Sequence, residues 1–219
     1  SRTPEGARGM SQPRYELHTW TTPNGRKVSI LLEELGVPYD VVPVNIGQDD
    51  QFKPEFLKLS PNNKIPALLD RETGRGIMES GAILLYLAET EGRFMPPDRW
   101  AGMEWLMWQM AGLGPMAGQA HHFLKFNEGK APYAEERYGK ETQRLYGVLE
   151  KRLEGRDFIC DEYSIVDMAC WPWISRFEWQ RVDLNAFPNL KAWYLRIAER
   201  PAVQRGYDVP KKVADIPMP

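Results

Sequence analysis

The stretch TTPNG, residues 21–25, puts a hydroxyl (Thr22), an amide (Asn24) and the start of a helix-like segment at one point in the chain. Helix starts carry unpaired N–H groups and a partial positive field, so they favour an anion. Thr22 and Asn24 therefore either donate to a bound anionic atom or do no more than shape the turn. Two further segments carry polar chemistry of the same kind. Glu79 can accept from an ammonium group, while Ser80 can cap a helix or donate to a carboxylate. The pair suits a zwitterionic amino acid as well as it suits a plain helix start. Ile65 precedes Pro66 at a strand entrance, where its backbone can pair with an extended ligand. Local statistics favour a trans bond there, since only about 5–6% of X–Pro bonds are cis. Lys64 is either a carboxylate contact or a solvated surface charge.

No protein sulfur lies near these residues. Cys160 and Cys170 lack C-x-x-C spacing, and both read as structural. The histidines, His18, His121 and His122, show no metal-ligand spacing, so no metal is expected. If the chain is an enzyme, its reactive group arrives with a ligand. The 219 residues carry 28 basic and 30 acidic side chains, a net charge of -2, which argues against a dedicated nucleic-acid surface. No apolar run approaches the roughly 20 residues needed to span a bilayer, and the polar opening segment lacks a signal-peptide core. The expectation is a cytoplasmic protein without membrane or nucleic-acid partners.

The elements that must position these groups fall into two rhythms. YELHTW alternates as a strand, RKVSILLEEL has helical spacing closed by Gly36, and VPYDVVPV reads as an edge strand. PEFLKLSP is a short helical turn, IPALLD and Ile77–Met78 are strands, and ESGAILLYLAET is a helix. That order is β-α-β-α-β-β-α, with no G-x-G-x-x-G or phosphate loop. From Trp100 the chain is helical: a long helix that Gly112, Gly114 and Pro115 bend or narrow, then YAEERYGKETQRLYGVLEKRLEG, SIVDMACWPWISRFEWQRV and PNLKAWYLRIAERPAV. Ser164 and Asp167 form a capping box. The expected division is an N-terminal arm (1–14), a mixed-sheet unit (15–91), a linker (92–99), an all-helical unit (100–206) and a tail (207–219) that covers a surface or frays.

Taken together, PNG, PNNKIPALLD and ESGAILLYLAE resemble the thioredoxin-like half of a glutathione transferase. GLGPMAGQAHHF, PYAEERYGKETQRLYGVLEKRLE and YSIVDMACWPW narrow the likeness to the Nu class, the bacterial group related to yeast Ure2-like proteins. The resemblance covers roughly Tyr15 to Val203. It implies an α/β thioredoxin-like N-terminal domain, an all-α glutathione-transferase C-terminal domain and a homodimer.

Glutathione is the implied cosubstrate. Thr22 and Asn24 are then the polar pair beside its sulfur, Pro66 is a cis-proline, and Ile65 pairs with its cysteinyl backbone. Lys64 meets the glycyl carboxylate, and Glu79 and Ser80 hold the γ-glutamyl end. Gln51 and Arg137 are further contacts, Arg137 either across the dimer or to a second glutathione. Trp108, Met110, Met116, Phe123, Phe126, Tyr138, Trp171 and Trp173 are either core or a second-substrate surface. The departure at Ala120, where relatives often carry a polar residue, implies the loss of a cross-dimer polar contact. The implied activity is glutathione-dependent reduction of small or mixed disulfides, with organic hydroperoxide reduction as an accompaniment. The alternatives are a transferase or thioether-cleaving enzyme acting on aromatic electrophiles, and a glutathione-binding regulatory protein with little turnover.

Overall fold

Tyr15, Leu17 and Thr19 are buried and alternate with half-buried neighbours, which makes Tyr15–Thr19 a strand (β1) with one face on the core. The computed structural model describes residues 12–219; residues 1–11, most of the expected N-terminal arm, lie outside it. Helix α1 (Pro23–Leu35) begins with proline in its first turn and ends at Gly36, whose φ of 69° lets its N–H reach the carbonyls of Leu32 and Glu33. Strand β2 (Tyr39–Pro43) follows, then two short 3₁₀ turns (Ile46–Gln48 and Asp50–Phe52) and helix α2 (Pro54–Leu59). Strands β3 (Ala67–Asp70) and β4 (Arg75–Met78) lead into helix α3 (Ser80–Glu91).

The sheet order is β2-β1-β3-β4. β1 runs parallel to β2 and antiparallel to β3, with Leu17 opposite both Val41 and Leu68. The proline-bearing β2 takes an edge, as its composition requires. Tyr15 is buried in the core with its hydroxyl donated to Glu91, so it serves packing.

The second half comprises α4 (Arg99–Trp108), α5 (Gly114–Ala120), α6 (Pro132–Arg152), α7 (Ile165–Ile174), α8 (Pro188–Ala198) and α9 (Pro201–Tyr207). Three expectations are corrected here. The long first helix widens instead of narrowing: Gln109–Leu113 and His121–Phe126 are π-type turns, and the N–H of Gly114 reaches back five residues to the Gln109 carbonyl. Pro115 has no N–H to offer the preceding turn, and the wider turn accommodates that loss. The third helix stops at Ile174 instead of continuing to Val182, because Ser175 turns its hydroxyl onto the Pro172 carbonyl and Gln180 donates to the Trp173 carbonyl. The fourth divides at Pro201, which restarts the chain as α9. The Ser164–Asp167 capping box forms as expected at the start of α7.

One apolar core runs through both halves, from Leu17, Val28 and Leu84 to Leu145, Trp171 and Trp193. Helix α1 is the element they share. Its Arg26 donates to the Tyr207 carbonyl, its Ser29 to the Gly206 carbonyl, and its Glu34 pairs with Arg200 through two hydrogen bonds. The start of α1, where Asn24 sits, is thereby held against both halves. The tail returns over the second half, where Tyr194 donates to the Pro217 carbonyl at 2.6 Å. Among the described residues, no helix is long and apolar enough to cross a membrane, and no group of three His, Cys, Asp or Glu side chains is placed to hold a metal.

Candidate active site between the two halves

Gly25 is what allows α1 to start so close to the end of β1: a Cβ there would lie 2.3 Å from the Trp20 carbonyl oxygen and 2.4 Å from Thr19 Oγ1. Thr22 is the N-cap, its Oγ1 accepting from the Gly25 N–H at 3.1 Å. One of the helix-start N–H groups expected to receive an anion is therefore already used. The capping bond occupies a lone pair and leaves the hydroxyl proton of Thr22 to be donated elsewhere. Asn24 is fixed from the other half of the molecule, because Trp173 Nε1 donates to its Oδ1 at 3.0 Å. With its oxygen so engaged, the amide presents its N–H groups away from Trp173. Trp173 enters the site through this hydrogen bond, a role its place in an apolar run did not show.

Asn24 lines a cleft of about 590 Å³ between the halves, together with Lys64, Glu79 and Ser80. Its opposite wall is apolar and includes Leu106, Met107, Met110, Pro115 and Trp173. A narrower recess of about 60 Å³ adjoins it, shared by Asn24, Lys64, Ile65, Pro66, Glu79 and Ser80 together with Ser60, Asn62 and Met78. Sequence reading missed Ser60, which is buried and donates to the Lys64 carbonyl at 2.7 Å, holding the loop that enters β3. The Ile65–Pro66 bond is cis, against the local trans expectation and in agreement with the family resemblance.

Glu79 adopts a φ of 74°, a strained conformation for a non-glycine residue of the kind found at ligand sites. It stands at the N-cap of α3 without a side-chain cap bond. Ser80 is the first helical residue and does not cap. Its oxygen instead accepts from Lys27 Nζ at 3.2 Å, and its proton faces Met110 Sδ at 3.8 Å. The start of α3 therefore has no side-chain partner from its N-cap and opens onto the cleft. Lys27 itself lines the cleft floor and also donates to Gln109 Oε1 at 2.7 Å. Both residues were missed: a lysine beside Arg26 reads as solvated, and Gln109 is turned inward by the π turn.

Thr22 caps the helix that carries Asn24 but lines neither the cleft nor the recess, and two further site candidates stand apart. Gln51 is half-buried in its 3₁₀ turn, its Oε1 buried without a partner, and it borders neither the cleft nor the recess. Arg137 is exposed on α6 and lines a separate hollow of about 590 Å³ with Met116, Tyr133, Tyr138 and Lys140. Of the aromatic and methionine candidates, Met110 and Trp173 face the cleft, while Trp171 is core, stacked on Tyr194. His121 is buried, and burial lowers its pKa to about 4 with further help from Arg176, so it stays neutral and accepts from Gln180. Cys170 is fully buried and burial holds its thiol well above its ordinary pKa; burial also pushes Cys160 up to about 11. Neither cysteine supplies a thiolate near neutrality.

Residues 21–90 match the family model for the glutathione S-transferase N-terminal domain, and residues 107–201 match that for the C-terminal domain. The chain belongs to the glutathione S-transferase family. Among curated relatives of this glutathione S-transferase is the disulfide-bond oxidoreductase YfcG of Escherichia coli, 50% identical over 196 residues that cover 85% of this chain and 91% of the relative. A glutathione transferase from Pseudomonas putida, solved with one glutathione disulfide per subunit, superposes with a TM-score of 0.87 at 42% identity, covering 92% of this chain and 94% of that one. Another from Burkholderia graminis, solved with two glutathione molecules per subunit, gives a TM-score of 0.83 at 43% identity over 92% of this chain and 90% of that one.

Proposed function

We propose that this transferase reduces small or mixed disulfides with glutathione as the source of the reacting thiolate. The observation that carries the reading is the junction of Asn24 and Trp173. Trp173 takes the amide oxygen, so that the amide N–H groups and the spare hydroxyl proton of Thr22 are the donors available at the end of β1. Free thiols titrate near 8.5, and donors of this kind lower that value. Thr22 and Asn24 act by electrostatic orientation and need not remove a proton.

The remaining donors and acceptors fit glutathione along its length. Glu79 and Ser80, with the open start of α3, suit the ammonium and carboxylate of the γ-glutamyl end. The Ile65 backbone beside Pro66 suits the cysteinyl unit, and Lys64 the glycyl carboxylate. We assign Gln51 to an outer contact and Arg137 to a contact at the dimer or with a second glutathione, since each lies outside the cleft. In the reaction, a glutathione thiolate displaces one sulfur of the substrate disulfide, giving a mixed disulfide and a released thiolate that takes a proton from solvent. A second glutathione thiolate then displaces the remaining substrate sulfur, leaving glutathione disulfide. The substrate is reduced by two electrons, and two glutathione molecules supply them. The names and bound ligands of the similar proteins support this reading, as do two buried cysteines that suit a reducing compartment such as the cytoplasm. We place the molecule in a homodimer on the same family grounds.

The test is steady-state reduction of 2-hydroxyethyl disulfide with excess glutathione, coupled to glutathione reductase and NADPH and corrected for the uncatalysed rate. Saturable turnover is expected. A folded protein that binds glutathione without this turnover would overturn the reductase reading. Conjugation of an aromatic electrophile along the apolar wall of Met107, Met110 and Trp173 would then be the next reaction to assay.

A further inference from the structure

Lys27 lies three residues after Asn24 on α1, so both side chains leave the same helix face, and both line the cleft. Only 2% of Lys27 is exposed. Its ammonium is held by two neutral acceptors, Ser80 Oγ at 3.2 Å and Gln109 Oε1 at 2.7 Å. No carboxylate pairs with it among the described residues. An ammonium has three N–H donors, and a buried cation is costly unless an opposite charge joins it. The Ser80 hydroxyl, with one lone pair taken by Lys27, faces only the weak acceptor Met110 Sδ at 3.8 Å. The arrangement presents donors suited to an anion at the edge of the cleft.

We propose that Lys27 is a positioning residue for the γ-glutamyl carboxylate, holding Ser80 as a donor and providing the buried countercharge that this carboxylate meets. The inference rests on the glutathione reading above. Burial lowers the pKa of Lys27 to about 7, outweighing the opposing influence of Cys170 on α7 and of Glu79 before α3. Gln109 is neutral, Lys64 lies along the same cleft, and the neighbouring Arg26 is directed to the Tyr207 carbonyl. A fraction of the ligand-free molecules therefore carries a neutral Lys27 near neutral pH. An arriving carboxylate favours the charged form, and a proton is taken up from solvent onto Nζ.

The probe is S-methylglutathione, whose sulfur cannot ionise and so adds no proton of its own. Calorimetric titration of the intact protein in buffers of different ionisation enthalpy gives the protons taken up on binding. At about pH 7.5 a fractional uptake is expected, fading at about pH 5.5 where Lys27 is already charged. Lys27→Met removes that uptake and weakens binding about tenfold or more. A purely structural lysine would leave the proton count unmoved. Binding without uptake in the wild type, or uptake that survives in Lys27→Met, overturns the inference and leaves the glutathione reading standing. A wild type that does not bind the probe overturns both. Should Lys27→Met fail to fold, the wild-type pH profile alone decides.

Discussion

Asp167 and Lys27 are both charged residues taken out of water, and they are treated in opposite ways. Asp167 lies in the helical half with no exposure and accepts from the backbone N–H groups of Ile159 and Ser164 and from Trp193 Nε1, all at 2.9–3.0 Å. Lys27 lies where the halves meet, holds two neutral partners and borders a cleft. Three buried donors fasten the fold around Asp167, although burial still raises its carboxyl to about 6. A buried charge left short of partners beside a cavity is completed by a ligand. The same desolvation therefore serves structure in one region and recognition in the other.

The largest expected effect comes from Asp167→Ala, which orphans three buried donors. It should lower unfolding stability by about 3 kcal/mol or more in a denaturant titration. Near-native stability would remove the structural half of the contrast. His121 offers an intermediate case, buried with Gln180 as its partner. Its folded pKa of about 4 lies below the ordinary histidine value, so the unfolded chain binds more protons between the two. Its contribution is therefore present above about pH 6.5 and is lost as pH falls toward 4, amounting to up to about 3 kcal/mol. His121→Phe should flatten that acid limb of the stability-against-pH curve, and an unchanged limb would assign the loss to other groups.

Lys27→Met relieves a costly buried charge but leaves the buried Gln109 Oε1 without its donor, so unfolding stability should fall by about 1–2 kcal/mol, less than for Asp167→Ala. A loss as large as that of Asp167→Ala would make both sites structural and erase the comparison. Thr22→Ala removes a helix cap worth about 1 kcal/mol. It should also raise the pKa of bound glutathione and reduce kcat more than it weakens glutathione binding. Unchanged kinetics would leave Thr22 a turn residue. The smallest effect is expected from replacing Cys160 and Cys170 by alanine, which should preserve disulfide turnover per folded molecule. Near-complete loss in a folded variant would show that a protein sulfur takes part.

The order of strands and helices in the first half was legible because local signals agree there: Pro23 and Gly36 bracket α1, and the prolines of β2 mark an edge. The second half was less so where side chains at a distance set the ends. Helix α7 stops at Ile174 through the contacts of Ser175 and Gln180, and the π turn at Gln109 arises where Pro115 withholds an N–H. At the site, Asn24, Lys64, Glu79 and Ser80 could be named from the chain, yet the orientation of Asn24 depends on Trp173, 149 residues away. Lys27 was hidden because its burial is created by the second half packing over α1, which no local pattern records. Gln51 and Arg137 were named only by resemblance, and both lie outside the cleft.

If Thr22 and Asn24 donate to the glutathione sulfur as proposed, the protein lowers the pKa of the bound thiol. The direct measurement is a pH titration of glutathione bound to the wild type, followed by ultraviolet thiolate absorbance, beside the same titration for Asn24→Ala. The wild type should titrate well below the free value of about 8.5, and Asn24→Ala should move back toward it. Bound glutathione that titrates like the free thiol in the wild type would contradict the proposed source of the nucleophile's activation.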